Sequence, residues 1–375
     1  MKKILFITHE ASRTGAPMVI LHLIKWLQTN SDYCIDLLSL KGGELSDEFS
    51  EIVNDYYVLS KPRKTKPTIY HRVQRKIGLK GTEDNQAKFL KNISENHYDL
   101  IYSNTVISIP FGNQIKQYNS QSKHIAHIHE LQVIIQQILP DFKLHSEHVD
   151  HFIAASDLVK NNLSKNWDIS PQQISRVYEC SLVEIETTIK RSSKNKVFHV
   201  GGAGTVHWRK GSDLFIQVAS YLKTLRPELD FKFTWVGAVS KNERFIHEED
   251  IRKAGLEDNV FFTGPTNEPT NIFKEFDVFL MTSREDPFPL VCIEVGMLGK
   301  PILCFEGATG TQEIITKGGG SVISYLDTRQ MAKTITEYID SPKLLQEKGK
   351  INAQEFSEFS PDKICPQILE VLKLL

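Results

Sequence analysis

The chain has 375 residues, enough for two cores of ordinary size. Its 45 lysines and arginines nearly balance 46 aspartates and glutamates, so a net charge of −1 argues against a general nucleic-acid binder. The five cysteines (Cys34, Cys180, Cys292, Cys304, Cys365) show no CxxC or metal-ligand spacing, which fits free thiols in a reducing, cytoplasmic setting.

The opening Met-Lys-Lys-Ile-Leu-Phe-Ile-Thr turns polar too soon for a signal peptide and reads as a first strand. No apolar stretch approaches the ~20 residues of a membrane span. Strands are expected at Ile4–Thr8, Ile35–Leu40, Tyr56–Leu59, Leu100–Asn104, His124–Ile128, Phe152–Ala155 and Ile174–Tyr178. Helical patterns fall between most of them, as at Ala16–Thr29 and Asp84–Asn96. The stretch 184–196 is polar and poorly periodic, and is expected to link domain 1–183 to domain 197–359. Alternation then restarts with strands at Val197–Val200, Phe231–Val236, Val260–Phe262, Val278–Met281, Ile302–Phe305 and Ser321–Ser324. Helices are expected at Ser212–Leu225, Glu249–Ala254, Thr328–Ile339, Pro342–Phe356 and Pro361–Leu374. Strands apolar on both faces and separated by helices predict an α/β fold with two doubly wound parallel sheets. Ligands of such sheets sit beyond the carboxyl ends of the strands.

Several strand exits carry residues suited to chemistry. The first is His9-Glu-Ala-Ser-Arg13-Thr14-Gly15-Ala-Pro17. Gly15 can take backbone conformations closed to other residues, and Pro17 suits a first helical turn, so the loop could approach phosphate or sugar. A tight turn explains it equally well. The pattern is not GxGxxG, so a nicotinamide fingerprint is absent. The basic run 61–80 holds Arg63, Lys64, Lys66, Arg72, Arg75 and Lys76 with no acid. A solvated loop and peripheral contact with anionic lipid headgroups both fit it. Next, alternation places His127 and His129 on one face of a strand end, followed by Glu130. In Gly201-Gly-Ala-Gly204-Thr-Val-His-Trp-Arg209-Lys210-Gly211, glycines allow close backbone approach and two cations can neutralise a diphosphate. Phe262-Thr-Gly264-Pro265 and Gly307-Ala-Thr-Gly310-Thr-Gln-Glu313 end two further strands, and turns explain both almost as well.

The most informative segment is Ser283-Arg-Glu-Asp286-Pro-Phe-Pro289-Leu290-Val-Cys-Ile-Glu294-Val-Gly-Met-Leu-Gly-Lys-Pro301. It reads as strand, polar loop, short helix, strand. A helix starting near Pro289 leaves its first N–H groups free for an anionic phosphate. Glu294, about one turn in, can accept hydrogen bonds from vicinal hydroxyls. Phosphate plus ribose points to a nucleotide.

This segment closely resembles the donor-site signature of retaining GT-B glycosyltransferases of family 4, where two acids stand eight positions apart. Here the first is Asp286 rather than the usual Glu. The resemblance extends over nearly the whole chain. It implies two Rossmann-like domains facing across a cleft, with the C-terminal helix (360–375) packing back on the first. It further implies transfer of a sugar from a nucleoside-diphosphate sugar, UDP favoured, to a hydroxyl of a glycan or lipid-linked glycan. The setting it suggests is bacterial surface polysaccharide synthesis. Arg13, Thr14 and Gly15 match the acceptor loop, which also touches the donor phosphates. His129 would steady the donor sugar, with His127 as second choice. Lys210 carries over from the diphosphate clamp. Gly204 stands where the family has an Arg, and Arg209 is its candidate replacement. Gly264 would cup the base, Pro289 and Leu290 would meet the phosphates, Glu294 the ribose, and Asp286 the sugar hydroxyls. No Asp-x-Asp occurs, so no divalent metal and no other cofactor is expected; Arg209, Lys210 and helix N-termini would stabilise the leaving charge. The donor's own phosphate would take the acceptor proton, and closure would exclude water. A sugar-nucleotide epimerase and a non-catalytic sugar-nucleotide or glycan-binding relative are the competing readings.

Overall fold

In the computed structural model, residues 2–60, 81–183 and 197–375 are described. The basic run 61–80 and the expected linker 184–196 lie outside them. The chain forms two compact units. Unit 1 comprises residues 1–155, 159–178 and 361–375; unit 2 comprises 156–158 and 179–360.

Unit 1 is built on seven strands: β1 (Lys3–Thr8), β2 (Cys34–Lys41), β3 (Tyr56–Ser60), β4 (Leu100–Asn104), β5 (Lys123–Ile128), β6 (His151–Ala154) and β7 (Ile174–Arg176). Their order in the sheet is β3-β2-β1-β4-β5-β6-β7, and every pairing is parallel. All five residues of β4 are buried, as a sheet covered on both faces requires. Helix Gly15–Asn30 buries Val19, Ile20, Leu23, Ile24 and Leu27, a helical stripe that closes one face. Helix Pro361–Lys373 belongs to the same unit and buries Ile364, Cys365, Ile368, Leu369 and Leu372.

Unit 2 repeats the plan with β8 (Phe198–Ala203), β9 (Phe231–Val236), β10 (Val260–Gly264), β11 (Val278–Met281), β12 (Ile302–Phe305) and β13 (Gly320–Ile323). The order is β10-β9-β8-β11-β12-β13, again all parallel. Helices Ser212–Leu225 and Thr328–Asp340 bury Phe215, Val218, Leu222, Met331 and Ile335 in one apolar core with Phe233 and Leu280. Two Rossmann-like parallel-sheet domains are therefore present.

In both sheets the strand order reverses once, between β1 and β4 and between β8 and β11. At such a reversal neighbouring loops turn to opposite faces and leave a crevice at the carboxyl ends. Sequence expectation and structure part company at β8, which runs on to Ala203 and takes in Gly201 and Gly202. A Cβ on Gly201 would lie 2.0 Å from the Phe276 ring, and one on Gly202 would lie 2.7 Å from Trp235. Those two glycines serve sheet packing, and the exit loop begins at Gly204. The helix expected at Glu249–Ala254 starts earlier, at Lys241, because Ser240 accepts from the Glu243 N–H as N-cap.

Candidate functional site

In unit 2 the loops leaving β8 and β11 lie on either side of the reversal. The β8 loop ends in a single 3₁₀ turn, Trp208–Lys210, closed by Gly211 at φ 68°. A Cβ at Gly211 would lie 2.0 Å from the Thr282 carbonyl oxygen, so this turn needs glycine for both conformation and contact. From it Arg209 and Lys210 reach across to Asp286. Arg209 Nη1 donates to Asp286 Oδ1 at 3.1 Å and to the Glu285 carbonyl at 2.9 Å. Lys210 Nζ donates to Asp286 Oδ2 at 2.6 Å, and Ser283 Oγ donates to the same oxygen at 3.0 Å. The acid expected on the sugar hydroxyls is thus the counter-ion of the expected diphosphate clamp.

Asp286 is buried, its side chain 6 % exposed. Burial alone would push its carboxyl up, but Lys210 and Arg209 outweigh burial and hold it below the ordinary carboxylate range. Burial lowers the Lys210 ammonium; Asp286 opposes that and Arg209 adds to it. The loop after β12 fastens to the same place: Asp286 N–H donates to the Ala308 carbonyl and Gly310 N–H to the Pro287 carbonyl, each at 2.8 Å.

Helix Leu290–Met297 follows, with Pro289 at its N-cap and its first N–H groups aimed out of the helix. Glu294, partly buried, accepts from Ser181 Oγ at 3.0 Å. Burial raises its pKa, and the Ser181 hydrogen bond offsets part of the rise. Phe288 packs on Phe359 at 5.3 Å between ring centroids, so the aromatic of the signature belongs to the core.

Glycines of positive φ end three adjacent strands: Gly204 (133°), Gly237 (146°) and Gly264 (81°). Gly204 N–H donates to the Val236 carbonyl and Gly237 N–H to the Gly264 carbonyl, while Trp235 Nε1 donates to the Gly204 carbonyl at 2.8 Å. A Cβ on Gly237 would lie 2.3 Å from that carbonyl oxygen. The result is a shelf of bare backbone beside the cation pair. A Cβ at Gly204 would stand 3.1 Å from Lys210 Cδ, so the missing arginine makes room for the Lys210 stem.

In unit 1 the loop Arg13–Gly15 follows β1. Arg13 Nη2 donates to Glu48 Oε2 at 3.0 Å, and the Thr14 and Ser12 hydroxyls pair at 2.7 Å. Gly15 is the first helical residue with no left-handed φ, and a Cβ there would meet nothing within 4 Å. Its expected conformational role is therefore corrected: it leaves open space above the helix start. His129 Nε2 bonds Asn104 Oδ1 at 2.7 Å, and Asn104 Nδ2 donates to the Ala16 carbonyl at 2.9 Å. Glu130 Oε2 accepts from the backbone N–H groups of His129 and Val106. The acid of the His-Glu pair thus organises the two loops. His127 is fully buried, which lowers its pKa well below the ordinary value, with His129 adding to the effect. The His127 ring meets Tyr102 through a 2.7 Å hydrogen bond.

Residues 184–355 match the family described as Glycosyl transferases group 1. The matched segment spans β8 to β13 and includes Gly204, Arg209, Lys210, Asp286 and Glu294. Among curated proteins, D-inositol 3-phosphate glycosyltransferase of Paenarthrobacter aurescens is 26% identical over 46% of this chain and 43% of its own length. The amylovoran biosynthesis glycosyltransferase AmsD of Erwinia amylovora is 27% identical over 33% of this chain and 35% of its own. The chain spans less than half the length of these relatives. Among solved structures, Anabaena HepE in complex with UDP and glucose superposes with a TM-score of 0.79 over 100% of both chains at 18% identity. Sucrose-phosphate synthase of Thermosynechococcus elongatus gives 0.79 over 100% and 99% at 18% identity. The fold is GT-B.

Sequence reasoning missed Gly237, Asn104 and the ion pair of Asp213 with Arg284, 2.8 Å between Oδ2 and Nη2. A glycine directly after an apolar strand was a usable signal for Gly237. The others act through partners distant in sequence, and no local pattern announces them.

Proposed function

We propose that the protein is a glycosyltransferase that moves a sugar from a UDP-sugar to a hydroxyl of a glycan or lipid-linked glycan, with retention of configuration and without a divalent metal. The observation that carries the reading is the convergence on one sheet reversal of Arg209, Lys210, the free start of helix Leu290–Met297 and Glu294. Cations and helix N–H groups suit a diphosphate, and a carboxylate one turn into the helix suits ribose hydroxyls. The glycine shelf suits a flat base, because bare backbone permits close approach. HepE, of the same fold, has been crystallised with UDP and with UDP-glucose, which favours UDP among the nucleotides. The names of relatives such as AmsD favour a polysaccharide product.

In this reading Arg209 and Lys210 exchange the Asp286 carboxylate for the diphosphate, or share it, as charge builds on the leaving group. Freed in part, Asp286 turns toward the sugar. The leaving phosphate takes the acceptor proton, so no protein base is assigned. Arg13, Thr14 and Gly15 are assigned to the acceptor, and His129 keeps the sugar-steadying role.

The test is a thermal-shift screen with UDP-, GDP-, dTDP- and ADP-sugars in the presence of EDTA, repeated with Glu294→Ala. Ligand at ~100 times its dissociation constant adds about 2.7 kcal/mol of stability. The reading expects a shift with UDP-sugars that the variant loses. No shift with any of the four would sink it.

A further inference from the structure

The signature segment holds two cations to which the donor reading gives no task; Lys300 donates to the Lys274 carbonyl, and Arg284 points to the β8 loop. It is not a solvated surface charge, since its side chain is only 13 % exposed. Its guanidinium forms a two-pronged pair with Asp213 in the first turn of helix Ser212–Leu225, Nη1 to Oδ1 at 3.0 Å and Nη2 to Oδ2 at 2.8 Å. Nη1 also donates to the Trp208 carbonyl at 2.7 Å, and the guanidinium carbon stands 5.4 Å from the Trp208 ring centre. The Arg284 backbone N–H donates to the Arg209 carbonyl at 2.8 Å. Each contact lands on the 3₁₀ turn that presents Arg209 and Lys210, or on the helix that follows it.

A lone 3₁₀ turn has poor hydrogen-bond geometry and little stability of its own. Long cationic side chains hung on it lose much rotamer freedom when a ligand fixes them. A brace that fixes the turn beforehand removes part of that cost and raises affinity. We propose that Arg284, through its pair with Asp213, is a positioning residue that sets the Arg209–Lys210 turn for diphosphate. The planar fork is what the geometry uses, and an ammonium cannot reproduce two parallel bonds to a carboxylate. The proposal rests on the donor-site reading above.

The experiment is calorimetric titration of UDP, with GDP, ADP and dTDP as companions, into wild type, Arg284→Gln, Arg284→Lys, Asp213→Asn and the Arg284→Gln/Asp213→Asn double variant. Fitted stoichiometry separates the folded fraction from the affinity of the molecules that are folded. Loss of charge-assisted bonds predicts about tenfold weaker binding in each single variant at unchanged stoichiometry. Arg284→Lys should fail to rescue, and the double variant should bind no worse than the weaker single one, because both act through one pair. If Arg284→Gln does not fold, Arg284→Lys and Asp213→Asn give the same reading. Wild-type binding with unchanged affinity in the folded fraction of the variants overturns the brace alone. A wild type that binds none of the four nucleotides overturns the donor site and the brace with it.

Discussion

Asp286 joins the two halves of the unit 2 site. Its carboxylate balances Arg209 and Lys210 while Ser283 orients it. Removing one partner of a buried ion pair typically costs about 3–5 kcal/mol, because the remaining charge stays buried. Asp286→Ala should therefore melt well below wild type in calorimetry, and more so than Glu294→Ala. The sign of its pH dependence follows from its depressed pKa: the stability it contributes is present above the unfolded value of 3.8 and is lost as pH falls through the folded one. Glu294 shifts the other way. Burial raises its pKa above 4.5, so full ionisation of Glu294, the proposed acceptor of ribose hydroxyls, is lost at a pH where ordinary glutamates remain charged. The acid limb of kcat/KM should accordingly lie above 4.5 and vanish in Glu294→Gln. Gly204 supplies a third residue-scale test. Restoring an arginine there places a side chain on the Lys210 stem and a non-glycine at φ 133°. Gly204→Arg should lower turnover, whereas a simple gap in the clamp would be repaired by it.

Elements explain which of these residues could be read in advance. Apolar runs two faces deep mark the parallel strands, and all thirteen expected strands are present. Strand exits then locate Gly204, Lys210, Asp286 and Glu294, because exit loops in a doubly wound sheet are where ligands sit. What periodicity does not carry is the pairing of one loop with another. Arg284 meets Asp213, 71 positions away, and His129 meets Asn104, 25 positions away. Nor does it separate glycines by task, since Gly201 and Gly202 pack under Phe276 and Trp235 while Gly204 turns the chain. The β9 exit tests the shelf as an element: Gly237→Ala drives a Cβ to 2.3 Å from the Gly204 carbonyl. It should weaken UDP binding while leaving unit 1 as protected as before in amide hydrogen exchange.

At the scale of the molecule, two sheets of the same winding come from separate stretches of sequence, and the last helix returns to the first unit. Pro361–Lys373 buries several aliphatic side chains there, each worth about 1.5–3 kcal/mol when fully covered. Deletion of residues 361–375 should lower the melting temperature of unit 1 more than that of unit 2, as followed by hydrogen exchange. Among the described residues no helix is long and apolar enough to cross a membrane. In the proposed function a cation pair in unit 2, without a metal, receives the diphosphate. Titration of UDP in EDTA into wild type and Lys210→Ala tests it most directly. Saturable wild-type binding in EDTA is expected, weakened at least about tenfold in the variant, the loss of one charge-assisted contact. Binding that appears only when a divalent cation is added, or that is equal in both proteins, would contradict it.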